Sequence, residues 1–203
     1  MLVDAFYPFV LPEVIGCPEP LLAQQIMLTA HSFCTETGVW DEVQDPVLTS
    51  TGIADYEIDA PANAEMLRVR SVWLDGRELS PRQMRTPLVA NFGTPSSYHA
   101  ALARGLITLD AKPQSEQFLV VRAVYAPRLT GQTLPDLLLS RYAIAIASGA
   151  KSRLMLIPGQ AWSNPVLAQF YAAQHQDAAI NARIDMERDN VTGSLRVKPR
   201  SFF

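Results

Sequence analysis

Apolar positions between residues 18 and 38 recur at helical steps. Leu22, Ile26, Ala30 and Phe33 stack on one face, while Gln24, Gln25, His31 and Glu36 fall largely elsewhere. The spacing predicts a helix over 18–38, with Gly38 as its C-terminal stop. From Trp40 the pattern shortens to stretches rich in Val, Ile, Thr and aromatics, punctuated by Asp45-Pro46, Thr51-Gly52 and Ala60-Pro61, which predicts strands. The clearest covers 66–74, with Leu67, Val69, Ser71 and Trp73 expected on one face and Arg68 and Arg70 on the other. Asp75-Gly76 then supplies a hairpin turn into a return at 77–79. After a less regular stretch, 82–97, further strands are predicted at 98–103, 106–109 and 117–125. About six strands in this region make a small sheet or sandwich.

Helical spacing returns near residue 134, with Pro135 suited to a first turn. Leu139, Ala143, Ile146, Ala150, Leu154 and Ile157 form a stripe, and Ala143, Ala145, Ala147, Gly149 and Ala150 allow a neighbouring helix to come close. Pro158-Gly159 breaks the run. Ser163 or Asn164 followed by Pro165 then predicts the start of a long helix ending near 188. Its first half carries Val166, Phe170, Ala173 and Ile180 on one face, interrupted by Asp177, and this face is expected to meet the other helices. The proline-rich opening is expected to run as an extended arm whose Phe6, Tyr7 and Phe9 need something to pack on. The resulting expectation is an α+β chain. Residues 1–39 and 132–190 form a discontinuous helical bundle of about three main helices, 40–131 an inserted antiparallel β domain, and 191–203 an extended C-terminal docking arm.

Composition narrows the chemistry. Of 203 residues, 48% are hydrophobic and 18% charged, which is globular rather than disordered composition. The net charge of −3 argues against a general polyphosphate binder, which needs surplus Lys and Arg. Cys17 and Cys34, the only cysteines, are expected to be buried thiols, since their spacing suits neither a metal nor a redox site. No apolar run approaches the roughly 20 residues that span a bilayer, and the opening lacks the features of a signal peptide, so assembly in a cytoplasm is expected.

No catalytic constellation emerges. His31, His99 and His175 lie in three different elements without ligand spacing. Ser148-Gly149-Ala150-Lys151-Ser152 lacks the Gly-Lys pair and earlier glycine of a phosphate loop and sits inside a helical stripe. Asp41, Glu42 and Asp45, or Asp55, Glu57 and Asp59, have the residue types for acid/base work or a hard cation, but the second set alternates with Tyr56 and Ile58 like the wet face of an edge strand. No catalytic residue, metal or cofactor is therefore assigned. The tail differs: Arg196, Lys198 and Arg200 interleave with Leu195, Val197, Phe202 and Phe203, a pattern that adds as a strand or lies in a groove.

Several short motifs, in order along nearly the whole chain, resemble one family. They are Tyr7-Pro8, Val10-Leu11-Pro12, Gly16-Cys17-Pro18, Phe33-Cys34 with Thr37 and Trp40, Leu134-Pro135-Asp136, Gly149-Ala150, and Arg196-Val197 with Pro199-Arg200-Ser201-Phe202. The chain resembles the head-to-tail adaptor proteins of tailed bacteriophages, of the podovirus tail-accessory and tail tubular A type. The resemblance implies a non-enzymatic structural protein of the virion. Copies assemble as a ring, commonly a dodecamer, beneath the portal protein, with a nozzle or other tail protein attached below and genomic DNA passing through the channel without specific binding. It also implies that Leu195, Arg196, Val197, Lys198, Pro199, Arg200, Phe202 and Phe203 dock on the portal; Arg and aromatic side chains are the usual interface anchors. A head-completion connector of a long-tailed phage, contacting a stopper, and a peptidoglycan hydrolase of the tail are the alternatives.

Overall fold

The computed structural model describes residues 1–83 and 91–188. Its opening is helical rather than extended. Val3–Phe6 and Leu11–Glu13 are 3-10 turns on either side of a one-turn helix, α1 (Tyr7–Val10), and Pro8 and Pro12 fall in first-turn positions where no backbone donor is missed. Coiling the opening completely buries Phe6 and Val10. The first residues clip to the start of a later helix: the Met1 ammonium donates to the Leu134 carbonyl at 2.8 Å, and Val3 N donates to Gln132 O at 3.0 Å.

Helix α2 (Glu19–Thr37) ends in left-handed Gly38, whose N–H returns to Cys34 O at 2.8 Å. The predicted face is the buried one: Leu22, Ile26, Ala30 and Phe33 are all fully enclosed. Helix α3 (Asp136–Met155) begins one residue after Pro135, which is its extended N-cap rather than a first-turn residue. A non-helical Tyr142 kinks α3, so Leu138 rather than Leu139 is fully buried above the kink, while Ile146, Ala150 and Leu154 hold the predicted stripe below it. The Tyr142 ring meets Phe33 at 5.0 Å between centroids. Helix α4 (Pro165–Glu187) starts as predicted, the Asn164 side chain accepting from Leu167 N at 3.1 Å. Helices α2, α3 and α4 all touch one another. Where they meet, a Cβ built on Gly149 would lie 2.5 Å from Thr29 Cγ2 and 2.7 Å from His175 Nδ1, so glycine permits the close approach.

Among the described residues every strand lies between α2 and α3. One sheet runs β1 (Asp41–Val43), β11 (Phe118–Pro127), β4 (Ala64–Leu74), β5 (Arg77–Glu78), with β2 (Val47–Leu48) also on β11. A second runs β3 (Asp55–Glu57), β9 (Leu106–Leu109), β8 (Ser97–Ala101), β6 (Ser80–Pro81), and β10 (Ala111–Lys112) pairs with β7 (Asn91–Phe92). The pairing is antiparallel except for β6 with β8 and β7 with β10. The Asp75-Gly76 hairpin forms as predicted, both residues at positive φ. The predicted faces of β4 do not hold. Two register shifts against β11 place Ala64, Met66, Val69, Val72 and Leu74 opposite Pro127, Tyr125, Ala123, Val121 and Leu119, so strict alternation fails near Leu67 and Arg70. β11 also packs on α2, the rings of Trp40, just past α2, and Tyr125 of β11 lie 5.9 Å apart, and one buried cluster runs through helices and sheets. The chain is α+β, and among the described residues no helix is long and apolar enough to cross a membrane.

Candidate interaction surface

The eight tail residues predicted to dock, Leu195, Arg196, Val197, Lys198, Pro199, Arg200, Phe202 and Phe203, lie outside the described residues. The surface that stands out within them is on α4. Its buried side is Ala168, Ala179, Ala182 and Met186, together with half-buried Tyr171 and His175. Val166, Phe170, Ala173 and Ile180, the face expected to meet the other helices, instead point away from them, at 77%, 61% and 41% exposure for Val166, Phe170 and Ile180. The reason is spacing. Small alanines let α4 lie close to α3, so the bulkier stripe is turned outward.

Ile144 of α3, 64% exposed, and Phe9 of α1 extend this apolar strip across three elements, and with Phe170 they wall a groove of about 310 Å³. The groove is edged by an ionic cluster: Lys151 Nζ donates to Glu13 Oε1 at 2.6 Å and lies 4.8 Å above the Tyr171 ring, while the Tyr171 hydroxyl donates to Glu13 Oε2. Burial raises the Glu13 pKa, but hydrogen bonds from Lys151 and Tyr171 and the ammonium charge outweigh it, leaving it below the usual carboxylate range. The hydrogen bond to Glu13 in turn pushes Tyr171 up to about 12. Glu13 is far from Lys151 and Tyr171 in sequence, and no local signal announces the cluster.

The residue types considered for catalysis are accounted for differently. Asp55 and Glu57 are exposed on edge strand β3 around buried Tyr56, and Asp55 Oδ1 accepts from Thr108 Oγ1 at 2.6 Å. The Asp41 side chain is only 3% exposed and ion-paired with Arg122 Nε at 3.0 Å and Arg70 Nε at 3.1 Å, so it ties β1 to β11 and β4. Each histidine faces a backbone carbonyl: His31 that of Pro127, His99 that of Arg82, and His175 that of Ala145 at 2.7 Å. Among the described residues no group of three His, Cys, Asp or Glu is placed to hold a metal. Ser148 and Lys151 sit inside α3, donating to Gln174 Oε1 and Glu13 respectively. Cys17 and Cys34 are buried and unpaired with each other, and burial pushes Cys34 up to about 12. No family model and no curated protein matches the chain.

Proposed function

We propose that this chain is a structural head-to-tail adaptor of a tailed bacteriophage, assembled in the host cytoplasm as a ring of twelve copies beneath the portal. In this reading residues 1–39 and 132–190 act as a three-helix bundle with the β region inserted as an antiparallel attachment domain. The observation that carries it is the packing of the first 37 residues onto α3 and α4 across an insertion that contains every described strand. The opening of the chain is held to the start of α3, the Met1 ammonium donating to the Leu134 carbonyl, so the helical segments on either side of the insertion meet. A subunit built this way has separate helical and β surfaces for lateral neighbours and for a tail protein. The net charge of −3 suits a channel through which DNA slides without being held. The tail, Leu195, Arg196, Val197, Lys198, Pro199, Arg200, Phe202 and Phe203, is the portal-docking element of this reading.

Native mass of the full chain, and of a chain ending at Thr192, each mixed with portal rings, tests the reading. A ring complex for the full chain and none for the shortened one is expected. If the full chain stays monomeric with portal rings at micromolar concentration, the adaptor role is lost.

A further inference from the structure

The β region carries a surface of its own where β4 meets the 3-10 turn Leu102–Arg104 that follows β8. Two cavities lie there, of about 440 and 500 Å³, and Leu102 stands in the wall of both. Arg68 and Arg82 line the first, beside Val69. Arg104 and Arg128 line the second, beside Met66.

A pair of arginines at each of two adjoining cavities calls for a counter-charge, because like charges held close together repel. The fold supplies one farther along the same strand, where Arg70 meets Asp41 at 3.1 Å. It supplies none at the cavities. Among the described residues no carboxylate lies within ion-pair distance of Arg68, Arg82, Arg104 or Arg128, although the chain has 20 acidic residues against 17 Lys and Arg. Glu65, the one carboxylate lining either cavity, instead stands 3.6 Å from His31 Nδ1. The surface is therefore cationic in a chain whose net charge is −3.

Its occupant must be anionic. A second copy offering the same face would set arginine against arginine. Single-stranded nucleic acid binds by stacking its bases on open aromatic rings, whereas Tyr98 in the first cavity is only 4% exposed and His99 faces the Arg82 carbonyl. A net acidic chain also repels a phosphate polymer as a whole. A protein segment that alternates acidic and apolar side chains has neither difficulty. Its carboxylates take the planar guanidinium groups as bidentate partners, and its apolar side chains cover Val69, Leu102 and Met66.

We infer that the two cavities flanking Leu102 are the docking site for an acidic, partly apolar segment of a partner protein. Arg68 and Arg82 hold one carboxylate of that segment, and Arg104 and Arg128 hold another. In the adaptor reading the segment belongs to a neighbouring tail protein, but the inference rests on this chain's own charges and is tested without portal or tail.

The test titrates the isotope-labelled full chain, followed by NMR, with three probes: a capped heptapeptide of alternating Glu and Val, its Lys-for-Glu counterpart, and an eight-residue oligothymidine. Saturable one-to-one binding of the acidic peptide is expected, with shifts centred on Val69 and Leu102, and at least tenfold weaker binding of both other probes. Arg68→Gln with Arg82→Gln should weaken the acidic peptide about tenfold, and Arg104→Gln several-fold. All three side chains are on exposed residues, so the variants should fold, and unchanged urea midpoints check that they do. Arg183→Gln, on α4, should leave binding unchanged. Oligothymidine binding as tightly as the acidic peptide would overturn the inference in favour of a nucleic-acid surface. No saturable binding of the acidic peptide, or binding indifferent to the cavity arginines, would overturn it equally.

Discussion

At the scale of single residues, Gly149 controls how closely three helices meet. Any side chain there collides with Thr29 and His175, and neither neighbour is free to withdraw: Thr29 is fully buried, and His175 donates from Nδ1 to the Ala145 carbonyl. Gly149→Ala should lower stability by about 1–3 kcal/mol through overpacking, even though alanine gains about 1 kcal/mol of helix propensity. The midpoint of urea unfolding measures it. The run of small residues was legible in the sequence because small side chains at helical spacing have one ready use. Which helices approach, and that a histidine from α4 faces the glycine, was not legible, since both contacts come from distant segments.

At the scale of elements, two local rules failed where a neighbour overruled them. On β4, alternation breaks at two bulges set by the pairing with β11, which no periodicity within β4 records. On α4, the larger side chains marked the stronger stripe, but contact with α3 and α2 selected the alanine side. Met186→Asp should therefore cost more than about 3 kcal/mol by placing a carboxylate in the core, whereas Ile180→Asp should change stability by less than about 1 kcal/mol; thermal and urea denaturation of the pair measure the difference. Edge strand β1 is held by its pairing with β11 and by the ion pairs of Asp41. Asp41→Asn should cost about 2 kcal/mol by removing the charge that Arg70 and Arg122 share at this site. Hydrogen exchange at Glu42 and Val43 should speed up in that variant while the α2 core stays protected.

At the scale of the whole molecule, stability should hold across neutral pH and fall at both ends. Burial raises Asp110, but hydrogen bonds from Ser96 and Ser97 outweigh it, so Asp110, like Glu13, has its folded pKa lowered. Their contribution is present above the ordinary carboxylate range and is lost as pH falls through the lowered values. Burial and the Glu42 charge push Tyr125 up to about 12, as the bond to Glu13 does for Tyr171. Their contribution is complete below the ordinary tyrosine value and is lost as pH rises through about 12. Urea midpoints followed from acid to alkaline pH should trace that plateau, and Glu13→Gln should reduce both slopes. By itself the sequence determined what depends on neighbours along the chain: the span and caps of α2 and α4, the Asp75-Gly76 turn, the burial of both cysteines, and the order of helix, strands and helices. Only the tertiary structure decided the coiled opening, the bulged faces of β4, the Glu13–Lys151–Tyr171 cluster and the outward stripe of α4. Periodicity tells which residues share a face. Which face is covered depends on the energy of packing against segments that are remote in sequence.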